Sequence, residues 1–199
     1  MRYVPLIGLI LLIGVGVVWR SWLQHRRYAT WGIFLLRDRR GSQILRDTLL
    51  VLFFLIVVSE AVVLAIWPEV VSNRMVIAPR NPIGSLFLFG GLLLMIQAQL
   101  HLGASWRIGI DELSKSGLVT HGLYRVSRNP IFSGMLVSLF GLTMLIPTLL
   151  SFIALLGTAI AIRWQVLEEE SYLRRTYDTE YVPYARSVGR FLPWLGRLR

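Results

Sequence analysis

The sequence predicts an all-α integral membrane protein with about five transmembrane helices, a C-terminal helical hairpin and a cytoplasmic helical tail. Of its 199 residues, 55% are hydrophobic and 16% are charged, whereas soluble domains average about a quarter charged. The apolar residues form blocks close to the roughly 20 residues that a spanning helix needs. Basic residues cluster between alternate blocks. We therefore expect one membrane domain over residues 1–199.

The first span covers about residues 3–19. Arg2 and Arg20 flank it and can extend their charged ends to the membrane surface. The block resembles a signal peptide in length, but Trp19, Arg20 and Trp22 do not form the small-residue cleavage site that such a peptide needs. We interpret it as a retained span.

The other spans are placed by apolar blocks and by proline. The second and third cover about residues 48–67 and 83–102. The next apolar run, residues 131–162, is too long for one span. Pro147 interrupts it, and proline disfavours helix both at its own position and just before it. This pattern predicts a hairpin with spans over about residues 131–146 and 148–167.

Two further features of the membrane half have alternative interpretations. Residues 31–36 are apolar between basic clusters, which is typical of an interfacial helix or of a simple connector. Glu60 lies inside the second span and is either functional or paired with a neighbouring polar group, for which Gln97 and Gln99 are candidates. Gly90 and Gly91 offer only a weak indication of close helix packing.

The distribution of Lys and Arg predicts the orientation. Seven lie in residues 20–47, four in residues 103–130 and seven from Arg163 onward. The opposite side has three, namely Arg2, Arg74 and Arg80. The positive-inside rule therefore predicts an outside N-terminus and a cytoplasmic C-terminus.

Composition also bears on cofactors and partners. The chain has no cysteine, which excludes disulfides, thiolate nucleophiles and iron–sulfur clusters. The three histidines lack metal-ligand spacing, so no metal is expected. The net charge of +10 comes from residues that flank apolar blocks, so it indicates a lipid bilayer partner and no nucleic acid.

Two polar segments far apart in sequence are expected to meet. Residues 117–134 enter the fourth span, and residues 168–170, three consecutive glutamates, leave the fifth. A turn at Pro147 makes the two spans antiparallel, so both segments lie at the same end of the hairpin. This convergence predicts a site at the cytoplasmic membrane surface.

The first segment has the residues of a binding site. Asn129 can cap the helix, and Pro130 suits its first turn. Gly134 permits close approach of a ligand or a neighbouring helix, while Tyr124 and Phe132 offer flat surfaces. The alternative is an ordinary helix start with arginines and aromatic residues at the membrane surface.

The glutamates point about 100° apart on a helix, so at most two can face the hairpin. A carboxylate there can bind hydroxyl or ammonium groups through charge-assisted hydrogen bonds. The alternative is a solvated helix face whose glutamates pair with Arg174 and Arg175.

In this order, the motifs resemble the isoprenylcysteine carboxyl methyltransferase and phospholipid methyltransferase superfamily. The resemblance covers about residues 103–195, the expected cofactor-binding half. Before the hairpin it rests on Gly122, Tyr124, Arg125, Arg128, Asn129, Pro130, Phe132 and Gly134. After the hairpin it rests on Glu169, Glu170, Leu173, Tyr177, Tyr181, Tyr184, Arg190 and Pro193.

The resemblance implies methyl transfer from S-adenosyl-L-methionine to a lipophilic or small membrane-associated acceptor, namely a carboxylate, amine or thiol. It implies Glu169 as a candidate catalytic residue, and Arg163 is the second candidate because it is the arginine nearest to the family's substrate-contacting position. The resemblance is to bacterial-type members, so the bacterial inner membrane is the expected location. The implied cofactor contacts are Leu118, Val119, Tyr124, Arg128, Asn129, Pro130, Ile131, Phe132, Gly134, Glu169 and Glu170.

One position departs from the prenylcysteine enzymes. Where they carry an arginine one turn before the paired glutamates, this chain has Gln165, and Arg163 projects about 200° away from it on the helix. The acceptor therefore stays open. Two other functions are retained as alternatives: an NADPH-dependent sterol-type reductase with a similar hairpin, and a non-catalytic membrane assembly factor.

Overall fold

The computed structural model describes residues 1–32, 41–106 and 117–198, which form helices joined by short connections. Most of the expected interfacial segment, residues 31–36, lies outside the described residues. In chain order the helices are α1 (Val4–Ile13), a π-helical stretch (Gly14–Trp19), α2 (Arg20–Tyr28), α3 (Gly41–Ile66), α4 (Pro68–Ser72), α5 (Asn81–Leu102), 3₁₀ turns (Gly103–Ser105 and Gly122–Arg125), α6 (Pro130–Leu145), α7 (Leu149–Thr176) and α8 (Asp178–Ser187).

The predicted all-α integral membrane fold is confirmed. Within the described ranges, four helical segments are long and apolar enough to cross a membrane: Val4–Tyr28, Gly41–Ile66, Asn81–Ser105 and Leu149–Thr176. The expected fourth span, α6, is apolar but has only 16 residues. At 1.5 Å per residue it is about 24 Å long, less than the roughly 30 Å of a hydrocarbon core.

The first spanning helix continues well past the predicted end at residue 19. It ends at Tyr28, where Ala29 has a φ of 57°. The prediction that Arg20 reaches the membrane surface is wrong, because its side chain is buried and donates to Gly103 O at 2.7 Å and to Gln24 Oε1 at 2.8 Å. Polar partners on α2 and in the 3₁₀ turn after α5 thus replace water around this side chain.

Helices α5 and α6 pack backbone against backbone. A Cβ atom added to Gly141 would lie 2.3 Å from Leu88 N, and one added to Gly134 would lie 2.6 Å from Met95 N. A Cβ atom on Gly91 would likewise lie 2.4 Å from Ser138 N. Small residues therefore let these two helices approach closely.

The hairpin turn forms at Pro147, as predicted. Thr148 caps α7, since its Oγ1 accepts a hydrogen bond from Ser151 N at 3.2 Å. The same hydroxyl donates to the Glu60 carboxylate on α3. Glu60 therefore pairs with Thr148, and its suggested partners on α5 are wrong. This bond fixes the hairpin to α3 at the end of the bundle opposite residues 168–170.

We expect Glu60→Ala to lower thermal stability, because it removes the acceptor of the buried Thr148 hydroxyl. The loss of a buried hydrogen-bond partner costs about 1–3 kcal/mol. Melting temperatures in detergent would measure it, with Ser59→Ala as the control, since Ser59 is exposed and donates to Ile56 O in its own helix. Equal melting temperatures for the two variants would contradict this role of Glu60.

Candidate active site

The hairpin brings the two polar segments together at one end of the bundle, which we call the motif end. Here Arg128, just before α6, donates to Glu170 of α7 at 2.8 Å. Tyr184 of α8 donates its hydroxyl proton to Tyr124 O at 2.7 Å. The motif end is thus built from the start of α6, the last turns of α7 and the segment from α8 onward.

The three glutamates of α7 face three different environments. Glu168 pairs with Arg46 of α3 and accepts from Trp164 Nε1 at 3.2 Å. Glu170 turns toward Arg128, while Glu169 lies close enough to Tyr124 to act on its phenol. The described ion pairs of Glu168 and Glu170 are therefore formed with arginines outside α7. The alternative interpretation, in which they pair with Arg174 and Arg175, is wrong for these two glutamates.

Glu170 joins the start of α6 to the segment after α8. Its carboxylate accepts from Arg128 Nη2 at 2.8 Å, and from Arg190 Nε and Nη2 at 3.0 and 2.7 Å. Arg128 also donates to Ala185 O at 2.7 Å and to Gly196 O at 2.9 Å, and its side chain is only 2% exposed. The hydrogen bond to Glu170 raises the pKa of Arg190. This cluster holds residues 189–196 against the site.

Asn129 occupies the N-cap position of α6, but the expected cap is wrong. Its side-chain amide donates to Arg190 O at 3.1 Å, and its backbone N–H donates to the same oxygen. Pro130 does occupy the first turn, as predicted. The start of α6 is therefore covered by the returning chain at Arg190.

Three tyrosines lie at the motif end, namely Tyr124, Tyr181 and Tyr184. Burial raises the pKa of the Tyr124 phenol, and the Glu169 carboxylate raises it further. Burial likewise raises the pKa of Tyr181 and of Tyr184, although Arg128 partly offsets it in both. All three phenols keep their protons at neutral pH, so Tyr184 can donate to Tyr124 O. Tyr124 is nevertheless too buried to be the open flat surface that the sequence suggested.

Sequence reasoning did not assign His101 to the site. Its Nδ1 accepts a hydrogen bond from Leu123 N at 3.3 Å, which fixes the turn before Tyr124. Gly122 adopts a φ of 60°, and a Cβ atom there would lie 2.6 Å from the imidazole. The contact links α5 to the site.

Comparisons with known proteins agree with this arrangement. The sequence model for phospholipid methyltransferases matches residues 80–180, which contain α5, α6 and α7. The chain belongs to the phospholipid methyltransferase family. The family resemblance predicted from the motifs is thus confirmed.

Curated relatives of this phospholipid methyltransferase family member are plant proteins. It is 35% identical over 92 residues to a probable protein-S-isoprenylcysteine O-methyltransferase from Oryza sativa subsp. indica, with 45% of this chain and 46% of the relative covered. It is 28% identical over 119 residues to protein-S-isoprenylcysteine O-methyltransferase A from Arabidopsis thaliana, with 56% and 58% covered. The chain spans about half the length of these curated relatives.

A solved structure has the same fold. It is a eukaryotic intramembrane Ras methyltransferase, isoprenylcysteine carboxyl methyltransferase, which superposes with a TM-score of 0.61 at 18% identity. The match covers 92% of this chain and 63% of the other. This similarity extends beyond the family-matched region to the N-terminal helices.

The remaining residues predicted for the site differ in how far they are buried. Gly134 is buried against α5, so it permits the close approach of a neighbouring helix. Arg163 is exposed on α7, whereas Gln165 is half-buried. Six other residues predicted to contact the cofactor have half-buried side chains, namely Leu118, Val119, Asn129, Ile131, Phe132 and Glu169. No group of three potential metal ligands occurs among the residues that the structure describes.

Proposed function

We propose that this chain transfers a methyl group from S-adenosyl-L-methionine to a lipophilic or small membrane-associated acceptor. Membership of the phospholipid methyltransferase family supports the reaction class. The observation that carries the site is the placement of Glu169 beside Tyr124, between the two ion-paired glutamates of α7. Glu169 therefore lies where the segment before α6 meets the end of α7, and we propose that its carboxylate contacts the ligand there.

The residues at the motif end fit this cofactor. When bound, S-adenosyl-L-methionine supplies a sulfonium methyl group for in-line displacement by the acceptor. Glu169 provides a carboxylate for hydroxyl or ammonium groups. We propose that the half-buried side chains of Leu118, Val119, Ile131 and Phe132 line the cofactor and exclude water. Hydrogen bonds from Tyr184 to Tyr124 O and from Arg128 to Ala185 O hold the surrounding segments in place.

The acceptor is proposed to arrive from the lipid side, and the cofactor from the cytosol. The positive-inside distribution of Lys and Arg supports a cytoplasmic motif end. Gln165, which is half-buried one turn before Glu169, is the side chain we propose to face the acceptor. Its neutral amide favours acceptors other than a prenylcysteine carboxylate, such as a lipid amine or a thiol.

Calorimetric titration of the purified protein in detergent with S-adenosyl-L-methionine tests the proposal. We expect saturable binding that Glu169→Gln weakens at least about tenfold, which corresponds to about 1.4 kcal/mol. Glu180→Gln is the matched control, because Glu180 is exposed at the start of α8.

Three outcomes would overturn the proposal. If the protein binds NADPH but not S-adenosyl-L-methionine, it is a reductase. If it binds neither and a partner protein co-purifies, it is an assembly factor. If Glu169→Gln binds as tightly as Glu180→Gln, the cofactor site lies elsewhere.

A further inference from the structure

Residues 192–195, which follow α8, carry large apolar side chains that point outward. The exposed fractions of Leu192, Trp194 and Leu195 are 58%, 76% and 68%. Single exposed apolar residues are common on any protein, but three within four residues make a contiguous patch. Such a patch indicates a contact with an apolar partner.

The outward orientation is fixed by the backbone of a tight turn. Gly189 N donates to Pro193 O at 3.1 Å, and Arg190 N donates to Leu195 O at 2.8 Å. A Cβ atom on Gly189 would lie 1.8 Å from Leu192 O, so the turn requires glycine there. The side chains are therefore presented by an ordered loop that bonds to itself.

The loop lies beside the start of a membrane helix. Ser133, in the first turn of α6, donates its hydroxyl proton to Phe191 O at 3.0 Å. The apolar helix α6 is expected to lie in the membrane, and the polar, basic segment before it is expected at the membrane surface, so its first turn lies near the boundary of the hydrocarbon core. Residues 189–191, held against its first turn, are thus at the depth of that boundary.

The charges around the loop suit a lipid surface. Arg186 and Arg197 are both exposed near it. Tryptophan is enriched at membrane interfaces, and arginines beside it can reach anionic headgroups. An aromatic and aliphatic tip with basic flanks is the pattern of a segment that lies in the interface.

We propose that residues 192–195 form a membrane-docking loop, which inserts Leu192, Trp194 and Leu195 into the lipid leaflet at the motif end. The occupant of the patch is the headgroup–acyl boundary of the bilayer. The docked loop is joined through Arg190 to Glu170, so the leaflet itself supports the returning chain that covers the start of α6. This docking does not depend on methyl transfer.

The absence of cysteine from the sequence makes a site-directed label straightforward. Trp194→Cys would be spin-labelled, and the protein placed in nanodiscs of phosphatidylcholine and phosphatidylglycerol. The accessibility of the label to oxygen and to a water-soluble nickel chelate reports its depth. Leu156→Cys, on the exposed apolar surface of α7, is the lipid reference, and Glu180→Cys, exposed at the start of α8, is the water reference.

We expect the label at position 194 to favour oxygen over the nickel chelate several-fold more than the label at position 180. Leu195→Cys gives an independent measurement if Trp194→Cys does not fold. Labels at positions 194 and 195 that are as accessible to the nickel chelate as the label at position 180 would overturn the proposal. Loss of the label's protection from the nickel chelate in nanodiscs that hold a single copy would also overturn the proposal. The patch would then be covered by a second copy of the chain and not by lipid.

Discussion

Gly141→Ala is expected to lower the melting temperature of the purified protein, whereas Gly90→Ala should leave it close to that of the wild type. A Cβ atom at position 141 would meet Leu88 N at 2.3 Å and Gly84 O at 2.6 Å. These are backbone atoms of α5, so the two helices must move apart. Overpacking of this kind costs about 1–3 kcal/mol.

Gly90 is the matched control because it lies on α5, where an added Cβ atom would meet nothing within 4 Å. Alanine is also a better helix former than glycine, so that substitution should be neutral or slightly stabilising. Thermal unfolding in detergent, followed by tryptophan fluorescence, measures both variants. Equal melting temperatures would show that α5 and α6 do not depend on this close approach.

The second large effect is expected for Glu170→Ala. It leaves the buried Arg128 and the partly buried Arg190 without their shared carboxylate. Removal of one partner from a buried ion pair costs about 3–5 kcal/mol, because the remaining charge is left uncompensated. We expect release of residues 189–198 from the motif end, and loss of S-adenosyl-L-methionine binding as a consequence.

Limited trypsin digestion in detergent would detect that release as faster cleavage after Arg190 and Arg197. Glu169→Gln separates the two roles, since it should weaken cofactor binding while the cleavage rate stays that of the wild type. Glu180→Ala controls for loss of a glutamate at an exposed site. Wild-type protection of Arg190 in the Glu170→Ala variant would contradict the anchoring role of Glu170.

Much of the helical framework could be predicted because hydropathy and proline report directly on lipid contact and helix ends. The spans predicted over residues 131–146 and 148–167 compare with Pro130–Leu145 and Leu149–Thr176. The second prediction ends too early because the polar turns after residue 167 are held by protein contacts. Hydropathy does not report on such contacts. For the same reason it does not predict that the first spanning helix extends to Tyr28.

The convergence of the two polar segments was also predictable, since it required only the turn at Pro147. The partners within the site were not. Arg128 binds Ala185 O and Gly196 O, which are 57 and 68 residues away in the chain. Nothing in the local pattern around Arg128 indicates these partners, and the family resemblance implied only that it contacts the cofactor.

The packing of α6 was likewise only partly predictable from the sequence. Gly134, Ser138 and Gly141 are spaced to share one face of α6, and this pattern is visible in the sequence. It does not say which helix meets that face. Only the structure identifies α5, through Gly84 and Gly91.

The closure of the motif end by Arg190 and Gly196 has a consequence for biosynthesis. The helices can insert and pair as the chain leaves the ribosome, because their contacts lie within residues 4–176. The start of α6 receives its cover only after residues 189–196 have been synthesised and have folded back. Nascent chains arrested before that point would therefore be membrane-integrated yet lack the cover over the start of α6.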